Sequence, residues 1–177
     1  MLIHFDRSMS WNKQSNICLD IRNPTSDYEV REKIVIDPSE FIEQDESSRE
    51  PACHFQIGWE GSKKKSVLTV LAEEATIKSA LKKSGGKKCK KGGDNRLPRA
   101  MEAEDSEKYV PMLALECRGI EPYAFHAMGG EFVVESEGGE IFKGEDVDLS
   151  DKDWADYDAD NDISVTVSEF SSKFESI

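Results

Sequence analysis

Asp158-Ala159-Asp160-Asn161-Asp162-Ile163-Ser164-Val165-Thr166-Val167-Ser168-Glu169-Phe170 admits two readings that lead to different folds. Asp158, Asp160 and Asp162 occupy the first, third and fifth places of a calcium-binding EF-hand loop, and Glu169 occupies the twelfth. The sixth place, where that loop turns sharply on glycine, is Ile163, and no apolar helical stripe precedes Asp158. Read as a strand, Ile163, Val165 and Val167 face one way and Ser164, Thr166 and Ser168 the other, the period of two of a half-buried strand. The strand reading turns the aspartates into a solvated acidic turn and makes this end of the chain β. Calcium held by the acidic cluster 156–162 is the alternative.

Working back toward the N-terminus, the same signals recur. Ile17-Cys18-Leu19-Asp20-Ile21 and Tyr28-Glu29-Val30-Arg31-Glu32-Lys33-Ile34-Val35-Ile36 read as strands around an Asn23-Pro24-Thr25-Ser26-Asp27 turn, with Asp37-Pro38 closing the second. His54 to Trp59 and Ser66 to Leu71 repeat the theme across Glu60-Gly61-Ser62, so the front half reads as a strand meander. Tyr109 to Cys117 reads as a strand whose Pro111 favours an edge or its first residues. Gly119 to Pro122 then turns the chain, Phe125 to Gly130 leads into a strand over Glu131 to Glu135, and Gly138-Gly139 turn before Glu140-Ile141-Phe142. Only Ala72 to Leu81 has helix-forming composition. The fold class expected is mostly β: short antiparallel strands with few helices, packed as a sandwich or paired small barrels.

The chain has 177 residues, which suits a single domain over 1–177, and 37 % hydrophobic residues suffice for a core. No apolar run is long enough for a membrane span, and Met1 to Ser10 has neither the cationic start nor the apolar core of a signal peptide, so a cytoplasmic protein is expected, with the nucleus as the other compartment. Cys18, Cys53, Cys89 and Cys117 are scattered without a C-x-x-C pair, the pattern of free thiols. The net charge of −13 is unevenly spread: lysine and arginine dominate from Ser62 to Arg99, and acids dominate from Ala100 onward. An acidic surface repels nucleic acid and anionic membranes, so neither is the expected partner. The glycine-rich basic run from Lys82 to Gly93 has no apolar residue except Cys89 and no aromatic residue among its lysines, so it lacks the stacking half of a single-strand binding site and reads as a loop.

Leu115-Glu116-Cys117-Arg118-Gly119-Ile120-Glu121-Pro122, followed by Asp153-Trp154-Ala155-Asp156-Tyr157-Asp158 and a terminal strand, resembles the CXXC-motif-containing zinc-binding protein family, small eukaryotic proteins without an established reaction. The resemblance runs from about Tyr109 to the C-terminus as the family-like half 109–177. It is traceable over Ile17 to Val70 within the front half 1–71, and it leaves 72–108 as a basic insertion or linker. It implies two C-x-x-C pairs in the front half, whose four thiolates would hold a structural zinc. Placed by Ser48-Arg49-Glu50, the second pair falls on Gly58-Trp59-Glu60-Gly61 and the first on the Asn23 to Asp27 turn, neither containing cysteine. Gly58 and Gly61 therefore mark a degenerate zinc knuckle, and no metal or other cofactor is expected. A substitute zinc set of Cys53, His54, Cys89 and His126 is the alternative.

No local signature of catalysis accompanies these motifs. His4, His54 and His126 are isolated in sequence, and a Cys117–His126 dyad would need the fold to bring the two together. The function expected is non-enzymatic, a structural or protein-interaction module whose partner is another protein, with an enzyme using Cys117 and His126 as a further alternative. The candidate contact surface is Glu116, Arg118 and Glu121 of the corner with Trp154, Asp156, Tyr157 and Asp158 of the acidic segment.

Overall fold

The computed structural model describes residues 8–26, 28–43, 51–83, 97–105 and 108–176. In chain order the strands are β1 (Ser8–Trp11), β2 (Ile17–Arg22), β3 (Val30–Ile36), β4 (Phe55–Ile57), β5 (Ser66–Val70), β6 (Met101–Glu102), β7 (Leu115–Arg118), β8 (Glu121–His126), β9 (Phe132–Glu135), β10 (Ile141–Lys143), β11 (Trp154–Asp158) and β12 (Ile163–Val167). The helix α1 (Glu74–Lys83) lies between β5 and β6. All strand pairs are antiparallel, so the mostly-β reading holds, but the strands form several small sheets and, among the described residues, no closed barrel.

Two compact units divide the described residues. The first takes those of Met1–Ser15, Pro98–Met112 and Ala127–Ser172. It contains the sheet β10-β9-β1-β6 and the hairpin β11-β12. Met9, Met101, Phe132, Val134, Phe142, Val147, Leu149, Val165 and Val167 are buried there, and Phe132 meets Trp11 and Phe170 edge-on at 5.4 and 5.1 Å. Asp158 and Ser136 lie fully buried where the turn after β9 comes against the end of β11; Ser136 Oγ–H donates to Asp158 Oδ2 at 2.5 Å. Asp158 also accepts the Asn161 amide at 3.0 Å, so it caps its own turn. Ser136 holds its carboxyl below the usual range, against burial, with Asn161 adding to the effect.

The second unit takes the described residues of Asn16–Leu97, Leu113–His126 and Lys173–Ile177, with the sheets β3-β2-β8 and β4-β5-β7. Its core is Ile17, Leu19, Ile21, Ile36, Cys53, Trp59, Leu68 and Ile120. Leu71, Ile77 and Leu81 form a buried cluster with Ala80, Leu97 and Ala114, which is the apolar stripe that seats α1. The central strand β2 is buried on both faces, Asp20 included. Register shifts beside Asp20 on both neighbours mark a bulge, where its carboxylate accepts the Lys33 amide at 2.7 Å and lies 2.8 Å from His126 Nε2. Burial pushes the Asp20 carboxyl up, but these partners outweigh it and leave it below the usual range.

Several elements depart from the sequence reading for identifiable reasons. Tyr109 to Ala114 is not a strand: the ladder begins at Leu115, after Pro111. Glu121 to His126, read as a turn and a lead-in, is β8, and its Pro122 is tolerated because β8 is a sheet edge. The acidic Trp154 to Asp158 segment, where the sequence shows no strand period, is β11, which pairs with β12 along its length. β1 and β6 arise in segments too short to show a period. The helix spans Glu74–Lys83, close to the Ala72 to Leu81 expected. The two front-half hairpins belong to different sheets rather than one meander. The Lys82 to Gly93 run lies mostly outside the described residues, as do Ser48-Arg49-Glu50, His4 and Cys89. Among the described residues no helix is long and apolar enough to cross a membrane.

His54 supplies a pH dependence. It is buried, its Nδ1 accepts the Val70 amide at 3.0 Å, and the Phe41 ring packs against it, tilted, at 4.3 Å. A ring nitrogen that accepts a hydrogen bond carries no proton, and burial lowers the His54 pKa below its ordinary 6.5 despite the opposing Pro38 carbonyl and Asp37. The unfolded chain therefore binds the extra proton first, so this contribution is complete above the unfolded value and falls as pH drops through 6.5 toward the folded one. Thermal melts from about pH 7.5 to about pH 5.5 should show the wild type losing more stability than His54→Gln; equal losses would remove His54 as the cause.

Candidate functional site

One end of the second unit gathers three turns, and each is held by side chains rather than by ladder bonds alone. The turn between β2 and β3 begins at Asn23, whose carbonyl accepts the Ser26 amide at 3.1 Å while its Oδ1 accepts the Thr25 amide at 3.0 Å. Asparagine and proline at the first two places suit this geometry. The turn after β4 runs Trp59-Glu60-Gly61-Ser62, closed by Ser62 N–H to Trp59 O at 3.1 Å, with Gly61 at φ 72° in its third place. The third turn joins β7 to β8 through Gly119 at φ 69°.

Glu29 and Trp59 connect the three. Glu29 Oε2 accepts from Asn23 Nδ2–H at 2.6 Å and Oε1 accepts the Glu60 amide at 2.7 Å, so one carboxylate spans the first and second turns. The Glu29 carbonyl takes the Asn23 amide at 2.9 Å. Trp59 is buried, its indole N–H donates to the Gly119 carbonyl at 2.7 Å, and the Arg31 guanidinium lies 5.7 Å from its ring.

The corner residues singled out in the sequence fall around this end. Arg22 takes Glu121 with two nitrogens, at 3.0 and 2.6 Å, and holds its carboxyl below the usual range. Arg118 donates from two nitrogens to one oxygen of Glu116, Oε1, at 3.1 and 2.7 Å. The charges that flank the Gly119 turn thus take partners from outside it, Glu121 from β2 and Arg118 from within β7. Tyr123 is exposed on β8 with Arg22 5.9 Å from its ring. Gly58 is exposed with open space beside it, and the closed turn starts one residue later than the Gly58 to Gly61 placement.

The acidic candidates belong to the first unit. Trp154 donates its indole N–H to the Asp146 carbonyl at 2.5 Å and meets Phe142 edge-on at 5.4 Å. Tyr157 is exposed and its hydroxyl donates to Asp162; the Tyr157 amide bonds Asp156 Oδ1 at 2.7 Å. Asp158, expected on the same surface, has no exposed area because it serves the Ser136 and Asn161 bonds. A strand over Ile163–Val167 takes the residues that an EF-hand loop would need, and Glu169 bonds Asp153 through its amide.

A thiolate zinc site does not fit these residues. In a C-x-x-C knuckle the ligands stand at the first and last places of a four-residue turn, and here those places hold Asn23 and Ser26, and Trp59 and Ser62. His54 Nδ1 is committed to Val70, and His126 lies against Asp20 and opposite Cys18 in the ladder. Among the described residues no group of three or more His, Cys, Asp or Glu side chains is arranged to hold a metal ion. Cys117 lies opposite Leu68 on the sheet that does not contain His126, and burial, aided by Glu116, pushes its thiol up to about 12. It is a protonated thiol at neutral pH, the poor state for a nucleophile.

Sequence reasoning found the corner and missed Glu29 and the Trp59 bond. Trp59-Glu60-Gly61-Ser62 carried a turn signal, whereas a carboxylate reaching across 31 residues leaves none in a local pattern.

A family model described as CXXC motif containing zinc binding protein, eukaryotic, matches residues 7–175. The UPF0587 protein CG4646 of Drosophila melanogaster is 44 % identical over 72 residues, 41 % of this chain and 43 % of that protein. The Rattus norvegicus CXXC motif containing zinc binding protein is 39 % identical over 72 residues, 41 % of this chain and 44 % of that protein. The matched stretch thus spans less than half the length of these curated relatives. A solved hypothetical protein from Plasmodium falciparum shares the fold with a TM-score of 0.70 at 20 % identity, covering 94 % of this chain and 89 % of that one. The crystal structure of C1orf123 does so with a TM-score of 0.68 at 18 % identity, covering 95 % and 92 %.

The close fit at Gly119 yields a stability prediction. A Cβ there would stand 2.4 Å from Ser66 Oγ, and the backbone is left-handed. Gly119→Ala should therefore lower stability by about 1–3 kcal/mol, measured by urea denaturation. A change under about 0.5 kcal/mol would show that the corner yields without cost.

Proposed function

This chain belongs to the eukaryotic CXXC motif containing zinc binding protein family, and we propose that it acts as a non-enzymatic protein-interaction module of the cytoplasm or nucleus. The observation that carries this reading is the corner itself. Arg22 on β2, Arg118 on β7 and Tyr123 on β8 stand at the surface, the two arginines bonded to carboxylates and Tyr123 beside the Arg22 guanidinium. Arginine and tyrosine are enriched at protein interfaces because they combine contact area, directional donors and little remaining flexibility once fixed. The turn below them is locked by Trp59, so the surface is preorganised and binding needs little further ordering.

The exposed strand β11, with Tyr157 and Asp156 outward, is a second contact surface on the first unit. Its acidic character suits a basic partner segment, and among the described residues β12 is its one ladder neighbour, which leaves β11 an edge strand. The partner class is protein for both surfaces: net charge −13 works against nucleic acid and anionic lipid.

Affinity capture from cells, comparing wild type with an Arg118→Glu/Tyr123→Ala double variant of matched thermal stability, tests the corner. A defined set of captured proteins should fall by about tenfold or more with the variant, the weight of one or two interface anchors. An unchanged set would overturn the assignment of the corner. The family's name supports a second reading, metal handling, which stoichiometric zinc or calcium in extensively desalted protein would favour and near-zero metal would oppose.

A further inference from the structure

We propose that the Glu29 carboxylate has taken over in this chain the mechanical task of a knuckle-bound metal, cross-linking the Asn23 to Ser26 turn to the Trp59 to Ser62 turn. A zinc held by two knuckles does one thing for a fold without a reaction: it ties two tight turns, distant in sequence, to a single centre. Glu29 has the same connectivity. Its two oxygens divide between the turns, Oε2 on Asn23 Nδ2 at 2.6 Å and Oε1 on the Glu60 amide at 2.7 Å. Both bonds carry charge from the acceptor side, which makes them shorter and stronger than neutral ones.

Main-chain geometry supports the assignment. The Glu29 carbonyl accepts the Asn23 amide at 2.9 Å, so the residue that supplies the bridge is itself fixed to the first turn. Two residues after Glu29, within β3, the Arg31 guanidinium lies 5.7 Å from the Trp59 ring, a second contact between this strand and the second turn. Trp59 then passes the constraint on through its indole bond to Gly119, the corner that the proposed function uses. No thiol takes part, so the cross-link is indifferent both to chelators and to thiol oxidation. It depends instead on an anion, and a neutral isostere can satisfy only part of it: a glutamine keeps one acceptor oxygen and presents an amino group to the other turn.

Amide hydrogen exchange at Glu60, in wild type with and without a strong chelator and in Glu29→Gln and Glu29→Ala, tests this directly. The wild-type Glu60 amide should be protected equally with and without chelator. It should exchange about tenfold or more faster in Glu29→Ala and by an intermediate factor in Glu29→Gln, with the β2 amides Leu19 and Ile21 unaffected as a reference for intact folding. Two results would overturn the proposal: unchanged Glu60 exchange in Glu29→Ala, or about one zinc per desalted chain with chelator-accelerated exchange in the wild type. If Glu29→Ala does not fold, Glu29→Gln carries the test alone, because it preserves size while removing the anion and one of the two acceptors. The inference stands apart from the interaction reading, since partner capture can fail with the Glu60 result intact.

Discussion

The loop end of the second unit depends on one hydrogen bond, from the Trp59 indole to the Gly119 carbonyl. β4 and β7 have only three and four residues, so their ladders supply few bonds, and the turns that join such strands would fray without anchors. The Trp59 ring fills the space beneath the turns, and its N–H satisfies a carbonyl exposed by the left-handed Gly119. Arg118 on one strand and Glu121 on the next flank the turn that this bond anchors. The first unit solves the same problem differently, with a buried carboxylate: Asp158 gathers Ser136 and Asn161 and so fixes two hairpin turns to one another.

How much of this was legible follows from what each element needs. β12 was legible because Ile163, Val165 and Val167 alternate against polar residues on a half-buried strand. Its partner β11 was not, since Ala155, Asp156 and Tyr157 all face solvent to some degree and a strand without a buried row leaves no period. β8 was hidden by Pro122, which argues against a central strand but not against an edge. The strands of the front half were visible, whereas their division into two sheets was not, because pairing is decided by contacts far apart in the chain.

The site was legible in the same uneven way. The corner announced itself by motif, and its glycine by the turn it makes, yet the partners of its charges came from elsewhere: Arg22 for Glu121 and, within one strand, Glu116 for Arg118. Asp158 reads from its acidic neighbours as a surface residue yet lies buried, since a run of aspartates cannot say which one caps the turn. The members of the substitute metal set that lie among the described residues show a similar point. Cys53 and His54 are adjacent in sequence, but His54 uses its Nδ1 to close a backbone gap at Val70, a structural duty that composition does not reveal.

Arginine forks recur through the chain, and their geometry bears on the corner. Arg118 brings two nitrogens to one oxygen of Glu116, whereas Arg22 with Glu121 and, in the other unit, Arg99 with Asp105 each set two nitrogens against both carboxylate oxygens. In the last pair the Asp105 carboxyl is held down to about 2, chiefly by Arg99. Lysine, a flexible point charge, cannot make this fork. Exposed pairs of this kind add little to stability, so their physical consequence at the corner is orientation: each guanidinium is held in one plane. A protein surface that meets Arg118 and Arg22 therefore meets positive groups whose carboxylates are already beside them. It gains most by matching the alternating pattern rather than by bringing bulk negative charge, which the acidic chain would repel.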